Sequence, residues 1–363
     1  LKNYKNLFTF VLIQDMKLNF KPIWFDSLGA KSSCTLVKTP DVSIIIDPGV
    51  AIMHPSFPAS MAKKIWWTEL GRSFIREACR EASVIIITHY HYDHYFPRDL
   101  GIYKKKLVIA KNPNEYINDS QRKRAYAFYK RIFEKYGKVK LEEVATKREA
   151  KNYPNPLQDL RLSSRKDFGS YNKRRKELLK KGLESFKRRV ERWNKAKEIP
   201  EAEFKDLKIK WADEAEFEFE ETKVRITKPF FHGIEFSAVG WVVGVVIEYE
   251  GEKLFYSSDL NGPIIEDYAN FIIKENPDIL ILDGPATYMV PYTLNLINLR
   301  RAVENACKIV EKVKSSVIIY DHHLVRERKF MEKTKKVWEV AKKFNKTLLT
   351  AAEFLGKKPV VLG

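Results

Sequence analysis

Short, unbroken apolar runs rich in β-branched residues recur along the chain, separated by stretches with a helical period. Residues 84–87, 107–110, 279–282 and 317–320 are such runs, and 42–46 is another but for Ser43. Four or five consecutive apolar residues between turn signals read as strands buried on both faces. Residues 17–50 read as strand, turn, strand, strand, closed sharply by Asp47-Pro48-Gly49. A helix is expected over 60–82 and another over 296–313, with a closing helix near 333–344. Residues 217–226 alternate, and 241–249 with 254–257 form a hairpin turning at Gly251. Strands and helices thus fall into two similar halves, an α/β pattern.

Between the halves the pattern changes. Residues 121–138 are basic, with Ala125, Tyr129, Ile132 and Tyr136 at helical spacing. A loop at Tyr153-Pro154-Asn155-Pro156 precedes a long basic helix over 172–198, with Pro200 as its stop. Leu179, Leu183, Phe186, Val190 and Trp193 form one apolar stripe on that cationic rod. A single stripe needs another surface to cover it. Residues 111–226 are therefore read as a basic, mostly helical insertion within one domain spanning 16–363. The chain opens with Leu, and Met16 precedes the first expected strand, so residues 1–15 are read as a leader or start-site artefact.

At 363 residues the chain can bury a large core. Its net charge of +19 permits an anionic partner, nucleic acid included. The same abundance of Lys, Arg and Glu fits a heat-adapted, ion-paired surface. Cys34, Cys79 and Cys307 are far apart with no C-x-x-C spacing, which excludes a disulfide framework and points to a reducing cytoplasm. No apolar stretch reaches membrane-spanning length, so no membrane partner is expected. Composition leaves the oligomeric state open.

The chemistry concentrates directly after the run 84–87, in Thr88-His89-Tyr90-His91-Tyr92-Asp93-His94. Three imidazoles and a carboxylate at the carboxyl end of a buried strand form a metal site. His89 and His91 project to the same side of an extended chain, while Asp93 and His94 follow the turn and can face a second ion. Nitrogen and oxygen ligands of this kind favour zinc. Of the seven histidines, His232, His322 and His323 also adjoin apolar runs, and only His54 stands apart.

In this order the motifs resemble the metallo-β-lactamase superfamily. The carriers are Asp47 after a strand, H-x-H-x-D-H at His89, His91, Asp93 and His94, a lone His232, Asp259 after the hairpin, and His322 or His323 after a late strand. The resemblance covers the chain from Met16 onward apart from the insertion. Asp283-Gly284-Pro285 and Asp321-His322-His323-Leu324 resemble an archaeal branch of that superfamily. The resemblance implies a four-layer αβ/βα sandwich with two zinc ions between two sheets. It implies one ion on His89, His91 and His232, the other on Asp93, His94 and one of His322 or His323, with Asp259 bridging and Asp47 orienting an imidazole. His322, directly after strand and Asp, is taken as the ligand. Asp93, Asp259 and His323 are expected to act in the chemistry, and Asp283 to orient a histidine or meet substrate. The expected activity is zinc-dependent hydrolysis by a metal-bridging hydroxide. Phosphodiester or nucleic-acid-like substrates lead because of the charge. A small-molecule thioester, lactone or ester is the alternative, and a non-catalytic nucleic-acid-binding module the third. A redox role is disfavoured because His91 stands where di-iron versions carry Glu.

Overall fold

The computed structural model describes residues 16–363; the reading of 1–15 lies outside them. Two seven-stranded sheets form the frame. In the first, Asn19–Phe25, Ser33–Lys38 and Ser43–Ile46 run antiparallel. Val84–Ile87, Lys106–Ala110 and Leu207–Trp211 then follow in parallel, and Ala202–Phe204 closes the edge. In the second, Glu216–Phe219, Thr222–Ile226, Val245–Tyr249 and Glu252–Tyr256 form an antiparallel meander. Ile279–Asp283, Val317–Asp321 and Thr347–Leu349 continue it in parallel.

The unbroken apolar runs have a direct physical cause. Successive side chains of a strand point to opposite faces, and here both faces are covered. Ile44, Ile46, Val84 and Ile86 fill the layer between the sheets together with Val245, Ile247, Tyr256, Ile281 and Ile319. Their neighbours Ile45, Ile85 and Ile87 share the outer core with Ile75, Ala78 and Cys79 of the helix Met61–Glu81. On the other side Leu280, Leu282, Ile318 and Tyr320 share it with Ala306, Ile309 and Val310 of the helix Leu296–Lys312. The layers are therefore helix, sheet, sheet, helix. Each fully buried aliphatic side chain contributes about 1.5–3 kcal/mol relative to exposure.

The region expected as a helical insertion divides in two. Helices Asp119–Ile132 and Asn172–Lys195 occur there. But Ala202–Phe204 and Leu207–Trp211 extend the first sheet, and Glu216–Phe219 with Thr222–Ile226 extends the second. A boundary at 226 is too late for the helical part. Of these strands, Ala202–Phe204 and Glu216–Phe219 are at the edges and carry Glu on their outward positions, a usual protection of an exposed edge, and the charge on 202–211 hides the two strands there beside basic helices. The run 241–249 is likewise two strands. Trp241–Val242 pairs with Phe230–Phe231, and only Val245–Tyr249 enters the second sheet.

The apolar stripe of Asn172–Lys195 covers the segment that carries His232. Phe186 and Trp193 are buried, with Trp193 5.7 Å and Phe186 6.1 Å from the ring of Trp241. Trp193 also donates from its indole to the Ile117 carbonyl at 3.1 Å.

Candidate metal centre

The residues of the predicted constellation lie at or just past strand ends on one rim of the two sheets, except His232, which follows Phe230–Phe231 of the separate two-stranded pair. Asp47 follows Ser43–Ile46, His89 follows Val84–Ile87 and Asp259 follows Glu252–Tyr256, while Asp283 ends its strand and His322 follows Val317–Asp321. Asp47, Ser258 and His322 each take a left-handed backbone conformation (φ 50°, 52° and 57°), which turns the chain sharply where its side chain enters the cleft. Gly49 is required by proximity. A Cβ there would lie 2.1 Å from the Tyr95 amide nitrogen and 2.4 Å from that of His94.

Two groups of ligand atoms share Asp259. In the first, His89 Nε2 faces His91 Nδ1 at 3.0 Å, and Asp259 Oδ2 lies 3.4 Å from His89 Nε2 and 3.1 Å from His232 Nε2. These four residues place ligand atoms within 4.8 Å of one another. In the second, His94 Nε2 and His322 Nε2 each lie 3.3 Å from Asp259 Oδ1, and Asp93 clusters with both imidazoles. His323 stands at the mouth, partly exposed, with Nε2 3.9 Å from Asp259 Oδ2. The structure thus brings together all of the predicted site residues. His54 is apart from them, exposed and bonded to Ser56.

The far nitrogen of each late-strand or turn imidazole is held by a carboxylate. Asp47 accepts from His94 Nδ1 at 2.8 Å, from the Thr88 amide at 2.7 Å and hydroxyl at 2.6 Å, and from the Tyr256 hydroxyl at 2.9 Å. Asp283 accepts from His323 Nδ1 at 2.9 Å and from the Asn261 amide at 2.7 Å. His322 Nδ1 lies 3.0 Å from Asp26, a residue the sequence reading did not single out. Such partners fix an imidazole's tautomer and raise its basicity as a ligand.

The donor set fits divalent metal. His94 Nε2, His322 Nε2 and Asp259 Oδ1 are buried and have no hydrogen-bond partner among the described residues. Buried polar atoms are ordinarily satisfied, so three that converge without bonding mark a place for a cation. Burial and the neighbouring His94 push His89 down to about 4, and burial pushes His91 down as well. Both are therefore neutral with lone pairs to give. Burial also opposes charge on His94 and His322. There the adjoining carboxylates win, Asp259 and Asp47 carrying His94 up to about 10 and Asp26 with Asp259 carrying His322 well up. Burial likewise opposes charge on Asp93 and Asp259, but the surrounding imidazoles hold both carboxyls below the usual range.

Comparison with known proteins decides the family. Residues 29–96 match the Metallo-beta-lactamase superfamily. The chain is 31% identical to the UPF0282 protein of Methanocaldococcus jannaschii over 354 residues, 94% of this chain and 92% of that protein. It is 28% identical to the UPF0282 protein of Methanopyrus kandleri, over 94% and 95% of the two chains. This chain belongs to the UPF0282 family. It is a metallo-beta-lactamase superfamily member of an archaeal branch, with that superfamily's fold. Among solved structures it is similar to human tRNase Z, short form (TM-score 0.37, 13% identity, 85% of this chain and 92% of that one). It is also similar to zinc-bound PqqB from Methylobacterium extorquens (TM-score 0.38, 12% identity, 88% and 85%).

The cationic face of this UPF0282 chain is narrower than its sequence suggests. Arg175 turns inward to pair with Glu235 at 2.9 Å, and Arg189 lies over the Trp241 ring at 5.4 Å. Lys173, Arg174 and Arg188 remain exposed. Arg326 is a second residue the sequence reading missed. It is buried, donates from Nε to Asp26, and places Nη2 3.9 Å from Asp93 Oδ2.

Proposed function

We propose that this protein is a zinc-dependent hydrolase with two ions, acting on phosphodiester or nucleic-acid-like substrates. The observation that carries the reading is the convergence of two imidazole groups on the two oxygens of one buried carboxylate, Asp259. Imidazole and carboxylate donors are zinc's usual set. His89, His91 and His232 would hold one ion, and Asp93, His94 and His322 the other, with Asp259 between them. A pair of ions held there supplies Lewis acidity and activates water near neutral pH.

The chain's own residues do the rest. Asp47, Asp26 and Asp283 orient the three imidazoles behind them. With Nδ1 committed to Asp283, His323 presents Nε2 to the cleft mouth, where it can hold a proton for the leaving group. The helices of 119–195 lie over the His232 segment and form a cap of a single domain. Their exposed Lys173, Arg174 and Arg188 suit a polyanion. Among the described residues no helix is long and apolar enough to cross a membrane. The separated free cysteines suit a reducing cytoplasm.

The test is metal stoichiometry by mass spectrometry joined to a panel of phosphodiester, thioester and lactone substrates. Two zincs and phosphodiesterase activity are expected, and Asp259→Asn should lose at least one ion and all turnover while staying folded. Full metal and full activity in that variant would remove Asp259 from its role. The small-molecule reading takes over if only thioesters or lactones are cleaved, and the binding-module reading if nucleic acid is bound but nothing is cleaved. Gln at Lys173, Arg174 and Arg188 should weaken nucleic-acid binding and flatten its salt dependence.

A further inference from the structure

Arg326 has an unspent donor. Its side chain is 4% exposed. Nε is committed to Asp26, and Nη1 donates to the Tyr288 hydroxyl at 3.1 Å. Nη2 is buried and has no hydrogen-bond partner among the described residues. A buried charged donor left unpaired is costly, so its position marks where an acceptor belongs.

The surroundings say which acceptor. Lys31 is half-buried and precedes Ser32, whose carbonyl lies 3.1 Å from His322 Nδ1, the imidazole that shares Asp26 with Arg326. Burial and the adjacent Arg326 push its amine down from the ordinary lysine range, while Asp93 and Asp26 pull it up. No carboxylate among the described residues bonds to that amine. Tyr288, on the turn Thr287–Met289, packs its ring 5.7 Å from the Arg326 guanidinium and 5.5 Å from the ring of His54. Because Tyr288 accepts from Arg326, its own proton is free to be donated outward. The two carboxylates here are already engaged, Asp26 with His322 and Arg326 and Asp93 with the imidazole cluster. Arg326 Nη2, 3.9 Å from Asp93 Oδ2 and outside hydrogen-bond reach of it, and the Tyr288 hydroxyl proton are thus donors without an acceptor beside the Asp93 end of the centre, with Lys31 on the adjoining segment.

We propose that Lys31, Tyr288 and Arg326 form an oxyanion subsite that takes a phosphate group of the substrate next to Asp93. The subsite deepens the phosphodiester reading and rests on it for the identity of the anion. A guanidinium matches phosphate oxygens in geometry and charge, and this one is held in place by Asp26 before any ligand arrives. The subsite binds and orients; no bond is made or broken there.

The experiment titrates inorganic phosphate by calorimetry at fixed ionic strength, into zinc-loaded and into chelator-treated protein. Arg326 is left intact, because its loss would strand the buried Asp26. Lys31→Gln should weaken phosphate binding about tenfold or more in both forms, in line with loss of a charge-assisted hydrogen bond. Tyr288→Phe should weaken it by a smaller factor, about threefold. Lys342→Gln, on the exposed face of the helix Lys335–Lys343, should leave it unchanged, and zinc content should match the parent throughout. Parent-like phosphate affinity in Lys31→Gln overturns the subsite, as does a parent that binds no phosphate in either form. A parent that takes up no zinc would sink the metal reading, and the titration of metal-free protein would still judge the subsite on its own.

Discussion

Replacing Glu235 by Gln should loosen the cap and the His232 segment together, in a way that depends on pH. Glu235 lies three residues past His232, with its side chain 5% exposed. It accepts from Arg301 Nη2 at 2.7 Å and Nη1 at 3.1 Å, from Arg175 Nη2 at 2.9 Å, and from the Ser163 hydroxyl. Arg175 belongs to the helix Asn172–Lys195, Ser163 to the short helix Arg161–Arg165, and Arg301 to the helix Leu296–Lys312. One carboxylate thus ties the cap and the outer helical layer to the segment carrying a site imidazole. Burial pushes the carboxyl up, but Arg301, Ser163 and Arg175 outweigh it and bring it down to about 2, against 4.5 for an ordinary glutamate.

That difference amounts to about 3 kcal/mol of folding stability. The sign follows from the depressed value. The contribution is complete above about pH 4.5 and is lost as pH falls toward 2. A Gln keeps the shape and one acceptor but not the charge, so the variant should be about 3 kcal/mol less stable at pH 7. At pH 3 the gap should fall to about half of that. Guanidinium unfolding at the two pH values measures it. Hydrogen exchange should show faster opening of 161–195 and 232–241 together, with the sheet strands protected. A penalty under about 1 kcal/mol at pH 7, or one that does not shrink at pH 3, would refute the electrostatic clamp.

Further consequences concern the centre itself. Asp26→Asn should weaken zinc binding about 10–100-fold by releasing His322, and competition with a chelator measures this; unchanged affinity would separate Asp26 from the site. Because His94 sits near 10 and His322 is also raised, both are imidazolium at pH 7, so metal uptake should release up to about two protons and tighten as pH rises. Calorimetry in buffers of different ionisation enthalpy counts them, and a count of zero at pH 7 would contradict that charge state. Gly49→Ala should disrupt the His94–Tyr95 turn and lower both thermal stability and metal uptake, since its Cβ has backbone atoms in the way; a fully stable, metal-replete variant would show that the turn can yield.

Much of the fold was legible because doubly covered strands write themselves as unbroken apolar runs. The strands at 43–46, 84–87, 279–283 and 317–321 read directly for that reason. Strands buried on one face only, such as Leu207–Trp211 and Thr222–Ile226, carry Lys, Arg or Glu on the other. Leu207–Trp211, embedded beside two basic helices, takes on the look of the insertion, while the alternation of 217–226 still reads as strand. The break between Val242 and Val245 was hidden for a different reason. Local apolarity continues through Val243-Gly244 although the chain changes sheets there, and only long-range pairing distinguishes one strand from two.

At the centre, residues announced by their own chemistry were found, and residues acting through another were found unevenly. Asp47 stood out because a short apolar strand ends on it. Asp26 occupies the same kind of position, ending the run Pro22-Ile23-Trp24-Phe25, yet it went unremarked because the turn after it looks like an ordinary loop. The structure shows how far that rule reaches. Asp26, Asp47, Asp259, Asp283 and Asp321 all close strands on the same rim, and each spends its oxygens on the centre or its frame. Asp321 is the instructive member. It meets no ligand atom but accepts from the amides of Ser27, His322 and Ala351, tying the strand end to the left-handed turn that aims His322. Burial raises its carboxyl to about 7, because, unlike Asp26, it has amides and no cation to hold its charge. Strand-terminal aspartates in this fold therefore divide by partner. Those facing imidazole or guanidinium tune the centre's charge, and the one facing only amides sets its geometry.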